Sequence, residues 1–220
     1  MTAHDEPHVH DHAHEHAHAP HPTARPDTDD TLTYYKAMEI AVRELLIEKG
    51  VISAEDVRRA IEAMDARSPA QGARIVARAW CDPGYKARLL ADPSSAIKEL
   101  GIEPGVYKLV VLENTSSAHN LVVCTLCSCY PRGVLGLPPD WYKSRAYRSR
   151  AVREPRVVLR EFGTAIADHV EVRVHDSTAD MRYLVLPERP AGTEGLSESA
   201  LAALVTRDSM IGVARVLAPG

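Results

Sequence analysis

The chain has 220 residues, of which 45% are hydrophobic and 25% charged, and its formal net charge is −4 at pH 7. This length and apolar content suffice for a substantial core in one or two domains, and the acidic balance gives no electrostatic argument for nucleic-acid binding. No apolar run approaches the roughly 20 residues of a membrane helix, and the N-terminus lacks an apolar signal core. Unpaired thiols agree with a reducing cytoplasm. We therefore expect a cytoplasmic protein that binds neither nucleic acid nor a membrane.

Residues 1–31 form a compositionally distinct tail that holds eight of the eleven histidines, together with proline and aspartate. Such a segment cannot bury enough apolar surface to order itself, and a disordered tail is predicted. It is either inert or a store that raises the local concentration of cobalt or nickel, because imidazole binds such ions well.

Residues 32–101 have the apolar spacing of helices and are predicted to form a helical arm. Apolar residues from Met38 to Leu46 share one face, and Gly50 ends that helix. Ser53 and Asp56 mark the start of a second helix, whose inward side would hold Val57, Ala60, Ile61 and Met64. Further helices are predicted to start at three capping residues that precede proline, in the pairs Ser68-Pro69, Asp82-Pro83 and Asp92-Pro93.

Residues 102–220 change to a strand-like period and are predicted to form one α+β domain. Two β-type runs, 107–113 and 121–124, flank a turn at Thr115, and runs 170–175 and 181–186 suggest a second hairpin, so mostly antiparallel strands are expected. Asp140 is predicted to cap a helix after two prolines, and Ser197 another helix that continues to Val205.

Three cysteines, Cys124, Cys127 and Cys129, fall within six residues at the end of a predicted strand. A disulfide between Cys127 and Cys129 would strain the preferred geometry because one residue separates them. Three soft thiolates on so short a loop converge easily on one metal ion. A metal site is therefore the better interpretation, and we call residues 124–129 the claw loop.

The identity of the metal stays open at this point. A tetrahedral zinc site needs a fourth ligand or a water, for which His119 could supply an imidazole. An iron–sulfur cluster would need the distant Cys81, which is interpreted as a small core residue of a helix. Neither interpretation explains Ser128 between two cysteines, where the backbone nitrogens of Ser128 and Cys129 could bind a trivalent ion.

Several motifs closely resemble the α subunit of nitrile hydratases, from about residue 33 to the C-terminus. They are Val123-Cys-Thr-Leu-Cys-Ser-Cys129, Gly136-Leu-Pro-Pro-Asp-Trp-Tyr-Lys143, Val152-Arg-Glu-Pro-Arg156, Arg182-Tyr-Leu-Val-Leu-Pro187, Arg189-Pro-Ala-Gly-Thr-Glu-Gly195 and Val205-Thr-Arg-Asp208. The resemblance implies a layered α/β/β/α metal-binding domain behind the helical arm. Thr125, where iron-type members usually have serine, makes the chain similar to the cobalt type, so iron is not favoured.

The resemblance also implies roles for the claw loop. Cys124 would be the axial ligand of one Co(III) per chain, Cys127 a sulfinate and Cys129 a sulfenate, with the backbone nitrogens of Ser128 and Cys129 completing the plane. Cys127, Ser128 and Cys129 would thus be the catalytic residues. The trivalent ion would polarise a nitrile, and the Cys129 sulfenate oxygen, or a water it activates, would attack the nitrile carbon to give an amide. Cysteine oxidation would here be a maturation step rather than damage.

Residues around the claw loop have alternative interpretations. Thr125 and Ser128 suit any tight turn, and Trp141 and Tyr142 are typical packing residues that could also wall the pocket. The arginines between 145 and 160 are solvated or pair with acidic groups of a partner subunit. The resemblance implies a β subunit as that partner, in one or two chains and an αβ or (αβ)2 assembly, embraced by the helical arm, with a cobalt-insertion activator as a further partner.

Two features depart from the cobalt-type pattern. Tyr130-Pro-Arg132-Gly133 replaces Tyr-Pro-Trp-Pro, and the only glutamine is Gln71, so the glutamine that many hydratases carry before the claw is absent. Arg132 and the histidine-rich tail are similar to the γ subunit of thiocyanate hydrolase, and a guanidinium near the site favours an anion. Hydration of a nitrile is the preferred function, with thiocyanate hydrolysis and non-catalytic metal carriage as alternatives.

Overall fold

The structure is a computed structural model that describes residues 32–219, so the predicted histidine-rich tail lies outside the described residues. The first five helices are α1 (Tyr34–Glu48), α2 (Ala54–Asp65), α3 (Pro69–Cys81), α4 (Pro83–Ala91) and α5 (Pro93–Lys98). Ser53 and Asp56 form the capping box at the start of α2, as the sequence predicts. Helices α3, α4 and α5 each begin at proline, which confirms the predicted starts.

Helices α1 and α2 contribute no fully buried residue, and most of their apolar side chains are exposed, although Leu46, Ile47 and Val57 are partly buried. The predicted inward face of α2 is wrong for Ala60, Ile61 and Met64, which are exposed, Ile61 at 53% and Met64 at 38%, whereas Val57 is partly buried. The helical spacing is as predicted, but the described elements leave most of this apolar face uncovered, with the Arg132 guanidinium 3.8 Å from the Met64 sulfur. Such a face marks a surface that another molecule covers.

The remaining elements alternate between strands and short helices. They are β1 (Lys108–Glu113), β2 (Ala118–Val123), α6 (Arg132–Leu135), α7 (Asp140–Lys143), α8 (Arg145–Arg153), α9 (Pro155–Glu161), β3 (Glu171–Asp176), β4 (Met181–Leu186), α10 (Glu198–Leu204) and α11 (Arg207–Ile211). Ser197 caps α10 as predicted. Asp140 is the first residue of α7 rather than its cap, a position that Pro139 takes.

The strands form two parallel pairs, so the expected antiparallel pairing is wrong. Strand β1 pairs with β4, and β2 pairs with β3 with Val123 opposite Asp176. The turn between β1 and β2 makes one isolated antiparallel bridge, from Thr115 to Ala118, and no hairpin. All six residues of β2 are buried, which is typical of parallel strands covered on both faces. The long connection through α6–α9 lets β3 return in the same direction as β2.

The core of the described chain combines helices and strands, in agreement with a mixed α and β fold. Ile75 and Val76 of α3, Leu121 and Val123 of β2, and Met210 of α11 are fully buried in one cluster. Helices α3–α5 therefore pack into the core, whereas α1 and α2 do not. The layered α/β/β/α order stays a prediction. None of the helices within residues 32–219 is long and apolar enough to cross a membrane.

Candidate metal centre

The claw loop follows β2 directly and runs toward α6. Cys124 comes after Val123, the last residue of a fully buried strand, and is itself fully buried. Cys127 is exposed and Cys129 is partly buried. The loop therefore starts in the core of the protein and opens toward solvent at its middle.

The three cysteine sulfurs converge on one point. The Sγ atoms of Cys124 and Cys127 are 3.4 Å apart, and those of Cys127 and Cys129 are 3.1 Å apart. All three lie within 4.8 Å of one another. The Cys127 N–H also donates to the Cys124 sulfur at 3.3 Å, which turns the loop back on itself. One metal ion could contact all three sulfurs with little rearrangement.

The thiols differ in acidity because of their mutual contacts. The pKa of Cys127 is lowered, first by the hydrogen bond from Cys129 and then by Cys124 and the backbone N–H groups of Ser128 and Cys129. Burial and the contact with Cys127 raise the pKa of Cys129 to about 12. Of these two thiols, Cys127 is therefore the more acidic.

Asp176, the last residue of β3, fixes the first turn of the claw loop. Its carboxylate accepts hydrogen bonds from the Thr125 N–H at 2.9 Å and from the Thr125 hydroxyl at 2.5 Å. The parallel register places Asp176 opposite Val123, one residue before the loop. Thr125 therefore contacts an anchor outside the loop, and its side chain is not among those that line the cavity at the sulfurs.

Two carbonyl oxygens of the claw loop accept hydrogen bonds from the helices that follow it. The Arg148 guanidinium donates to the Cys127 oxygen at 2.8 Å, and the Tyr142 hydroxyl donates to the Cys129 oxygen at 2.9 Å. Helix α8 is held in place by Tyr147, whose hydroxyl donates to the Val122 oxygen at 2.6 Å. Helices α7 and α8 therefore brace the loop from its outer side.

Trp141 packs into an aromatic cluster and does not line the cavity at the claw loop. Its ring centroid lies 4.9 Å from that of Tyr147 and 4.8 Å from that of Phe162, in edge-to-face contact. Tyr142 belongs to the same cluster, since its ring centroid lies 5.8 Å from that of Tyr147. Of these aromatic residues, Tyr142 touches the loop through its hydroxyl and Trp141 acts through packing.

A cavity of about 340 Å³ opens beside residues 127–129, and Tyr107, Tyr130, Arg132 and Arg182 complete its lining. The Arg182 guanidinium stacks over the Tyr107 ring at 5.1 Å. The Tyr107 hydroxyl accepts a hydrogen bond from the Gly133 N–H at 3.0 Å. Gly133 itself tolerates no side chain, because an added Cβ would lie 2.2 Å from the Pro104 oxygen. Arg132 and Gly133, which depart from the cobalt-type pattern, thus have separate effects. Arg132 places a cation at the cavity, and Gly133 allows the backbone to pack closely against Pro104.

The other metal-ligand candidates lie away from the sulfurs. Cys81 is exposed at the end of α3, so its interpretation as a core residue is wrong. His119 is buried, its Nε2 donates to the Gly212 oxygen at 2.7 Å, and its Nδ1 faces the Asn114 amide at 3.3 Å. Within residues 32–219, no fourth cysteine, histidine or carboxylate joins the three sulfurs. A closed four-ligand zinc or iron–sulfur site therefore has no support among these residues.

Asp176, Arg148, Tyr107 and Arg182 are site residues that the sequence did not single out. Asp176 ends a predicted strand, so its position next to the claw loop depends on strand pairing. Arg148 is one of several arginines in a basic stretch. The sequence carries no signal that separates it from its neighbours before the orientation of α8 is known.

Comparison with known proteins supports the resemblance. The sequence profile of the family described as "Nitrile hydratase, alpha chain" matches residues 33–214. The low-molecular weight cobalt-containing nitrile hydratase subunit alpha of Rhodococcus rhodochrous is 55% identical over 176 residues, covering 79% of this chain and 84% of that protein. The thiocyanate hydrolase subunit gamma of Thiobacillus thioparus is 46% identical over 192 residues, covering 82% of this chain and 79% of that protein.

A solved structure agrees with this assignment. A double mutant of the Fe-type nitrile hydratase from Comamonas testosteroni Ni1 superposes with a TM-score of 0.78 at 42% identity, covering 87% of this chain and 94% of that one. The profile match spans most of the chain, including the three converging cysteines and both helices that brace them. The chain therefore belongs to the nitrile hydratase α-chain family.

Proposed function

We propose that this chain is the metal-bearing α subunit of a cobalt nitrile hydratase, which adds water to a nitrile to form an amide. The observation that carries the proposal is the convergence of the Cys124, Cys127 and Cys129 sulfurs within 4.8 Å on one loop. Cobalt is supported by Thr125 and by relatives named as cobalt-containing nitrile hydratase subunits.

The donor set of the claw loop fits a trivalent ion. The sulfurs of Cys124, Cys127 and Cys129 and the backbone nitrogens of Ser128 and Cys129 would hold it, and their negative charges would offset its own. We assign Cys127 as sulfinate and Cys129 as sulfenate. When bound, cobalt supplies Lewis acidity that makes a nitrile carbon susceptible to attack.

The chain's own residues position the nucleophile. Cys129 borders the cavity, and its sulfenate oxygen, or a water from which it takes a proton, would deliver oxygen to the nitrile carbon. Where the sulfenate oxygen itself attacks, its bond to sulfur breaks as one water restores the oxygen on Cys129, and the two protons of that water pass to the nitrile nitrogen. On either route the net change is addition of one water with no oxidation or reduction. Tyr142 and Asp176 keep the loop from shifting during this step through their hydrogen bonds to Cys129 and Thr125.

We propose that a β subunit covers the apolar face of α1 and α2. Tyr34 and Tyr35 are 73% and 78% exposed, and Val42 and Leu45 are about half exposed on the same helix. Nitrile hydratase α subunits work in a complex with a β subunit. We extend this to an αβ or (αβ)2 assembly, with one or two partner chains and a cobalt-insertion activator.

The decisive experiment combines metal analysis with mass spectrometry of the peptide that contains residues 124–129. One tightly held cobalt per chain, two oxygen atoms added at Cys127 and one at Cys129 are expected, together with amide formation from acrylonitrile. Exchangeable divalent ions on unmodified thiols, removed by mild chelation, would refute the enzyme and leave a metal carrier.

Thiocyanate hydrolysis is the second candidate, and the cavity gives one observation in its favour. Arg132 and Arg182 both line the space next to Cys127 and Cys129, and guanidinium groups attract an anion more than a neutral nitrile. Assays of the same complex on thiocyanate and on acrylonitrile distinguish the two functions. Activity on thiocyanate alone would overturn the hydratase assignment.

A further inference from the structure

The peptide bond between Cys127 and Ser128 is held from outside the claw loop by a single cationic side chain. The Arg148 guanidinium donates to the Cys127 oxygen at 2.8 Å. In a trans peptide the C=O bond and the N–H bond point in opposite directions, and the chain has no cis peptide bond among its described residues. A group that fixes the oxygen on the outer side therefore directs the Ser128 nitrogen to the inner side, where the sulfurs meet.

Helix α8 determines the direction of Arg148. Tyr147 and Ala151, one helical turn apart, are 5% and 0% exposed and fix the buried face of the helix. Ser144 caps its first turn by accepting from the Tyr147 N–H at 3.1 Å. Arg148 follows Tyr147 by one residue, so its side chain leaves the helix at the edge of the buried face and reaches the loop.

The charge of Arg148 is not neutralised by a carboxylate within the described part of the chain. The ion pairs of the neighbouring arginine, Arg150, are with Glu154 and Glu161, whereas Arg148 has none. Its Nε atom is buried without a hydrogen-bond partner among residues 32–219. The Cys127 oxygen therefore receives a hydrogen bond from a full positive charge, which is the stronger class of such bonds.

We propose that Arg148 is a positioning residue that aims the Ser128 nitrogen at the metal and offsets the negative charge of that peptide. This inference rests on the proposed function, in which the Ser128 nitrogen is a ligand. When a metal binds through a peptide nitrogen, the N–H proton passes to water and the charge is shared with the carbonyl oxygen of the same peptide. That oxygen is the one that Arg148 contacts.

Tyr142 provides an internal contrast. Its hydroxyl contacts the Cys129 oxygen, and the nitrogen of that peptide belongs to Tyr130, which is not a proposed ligand. Tyr142 is neutral and braces the loop only mechanically. Arg148 also holds the loop in place, but its positive charge lies at the peptide whose nitrogen, that of Ser128, is a proposed ligand. Removal of this charge should therefore affect the metal centre as well as the loop.

The test uses the full complex with its partner subunits, prepared with the wild-type chain and with Arg148→Gln, Arg148→Lys and Arg160→Gln. Arg160 is exposed near the end of α9, its side chain makes no hydrogen bond or ion pair within residues 32–219, and it serves as the charge-matched control. The measurements are cobalt per chain after incubation of the metal-free complex with cobalt, the sulfur-to-metal absorption band, and the unfolding temperature of the metal-free complex.

We expect Arg148→Gln to weaken cobalt uptake by about 10- to 100-fold, as removal of a group that orients a ligand does, and to shift the absorption band of the remaining cobalt. Arg148→Lys should restore part of the uptake because it keeps the charge, and Arg160→Gln should match the wild type. Wild-type uptake and an unchanged band in Arg148→Gln would overturn the inference. So would equal losses in Arg148→Gln and Arg148→Lys that follow a lowered unfolding temperature, since a purely structural brace would behave in this way.

Failure of the proposed function has a different signature. If the wild-type complex holds no tightly bound cobalt, the hydratase assignment fails whatever Arg148→Gln does. If the wild type holds cobalt and forms amide while Arg148→Gln is indistinguishable from it, the inference about Arg148 alone fails.

Discussion

Replacement of Asp176 by alanine tests whether the claw loop is fixed from β3. The change removes both hydrogen bonds to Thr125, the one from its N–H at 2.9 Å and the one from its hydroxyl at 2.5 Å. Hydrogen bonds to a charged group contribute about 1.5–3 kcal/mol each where they are shielded. Both residues are exposed, so solvent screening reduces the loss in free energy of unfolding to about 1–2 kcal/mol in total.

The assay is urea denaturation of the metal-free protein, combined with cobalt content after reconstitution. Because Thr125 follows Cys124 directly, a loosened first turn should also reduce cobalt retention by about 10-fold or more. Asp168→Ala is the matched control, since that carboxylate is exposed and its side chain makes no hydrogen bond or ion pair within residues 32–219. A double-mutant cycle with Thr125→Val measures the interaction energy between the Asp176 carboxylate and the Thr125 hydroxyl. Unchanged urea midpoint and cobalt content in Asp176→Ala, with zero coupling in the cycle, would refute the reasoning.

Three further predictions concern other residues of the site and the core. Tyr142→Phe removes the donor to the Cys129 oxygen and should lower the free energy of unfolding by about 1–2 kcal/mol, with a smaller loss of cobalt than Arg148→Gln; a larger loss would contradict the distinction between the two braces. Burial lowers the pKa of His119 below 6.5, so as the pH falls this imidazole is protonated in the unfolded chain before it is protonated in the folded chain. The free energy of unfolding should therefore decline as the pH falls below 6.5, and the contribution of His119 is fully present above that value. Denaturation at pH values from 7.5 to 5.5 should show a shallower decline in the free energy of unfolding for His119→Gln than for the wild type. An identical slope would show that His119 is not the source of the decline. Arg132→Gln should raise KM for thiocyanate by about 10-fold if the guanidinium binds an anion, and should leave KM for acrylonitrile nearly unchanged; parallel changes for both substrates would show that Arg132 does not select charge.

The sequence predicted the local features of this chain well. Helix starts at Ser53, Asp82 and Asp92 follow from cap chemistry and from proline at the first helical position, and these interactions span three residues. The claw loop was recognisable for the same reason, since its three sulfurs lie within six residues. No distant part of the chain is needed to bring them together.

Features that depend on distant pairing could not be predicted. The β1 and β2 runs have the lengths and the turn of a hairpin, but the burial of all of β2 requires cover on both faces, which a solvent-exposed hairpin lacks. Asp176 reaches the claw loop only because β3 pairs in parallel with β2. Likewise, periodicity identifies the apolar side of α2 but not what covers it, which is why the sequence predicts an inward face that the structure shows to be exposed.

The unequal exposure of the claw sulfurs makes access to the centre one-sided. Cys124 is attached to a strand sealed within the protein, whereas Cys127 meets solvent. Alkylating agents, oxidants and chelators therefore encounter Cys127 before Cys124, and the order of labelling follows from depth alone. Any subunit that covers this opening therefore controls how metal ion, oxidant and substrate all reach the centre, because they enter from the same side.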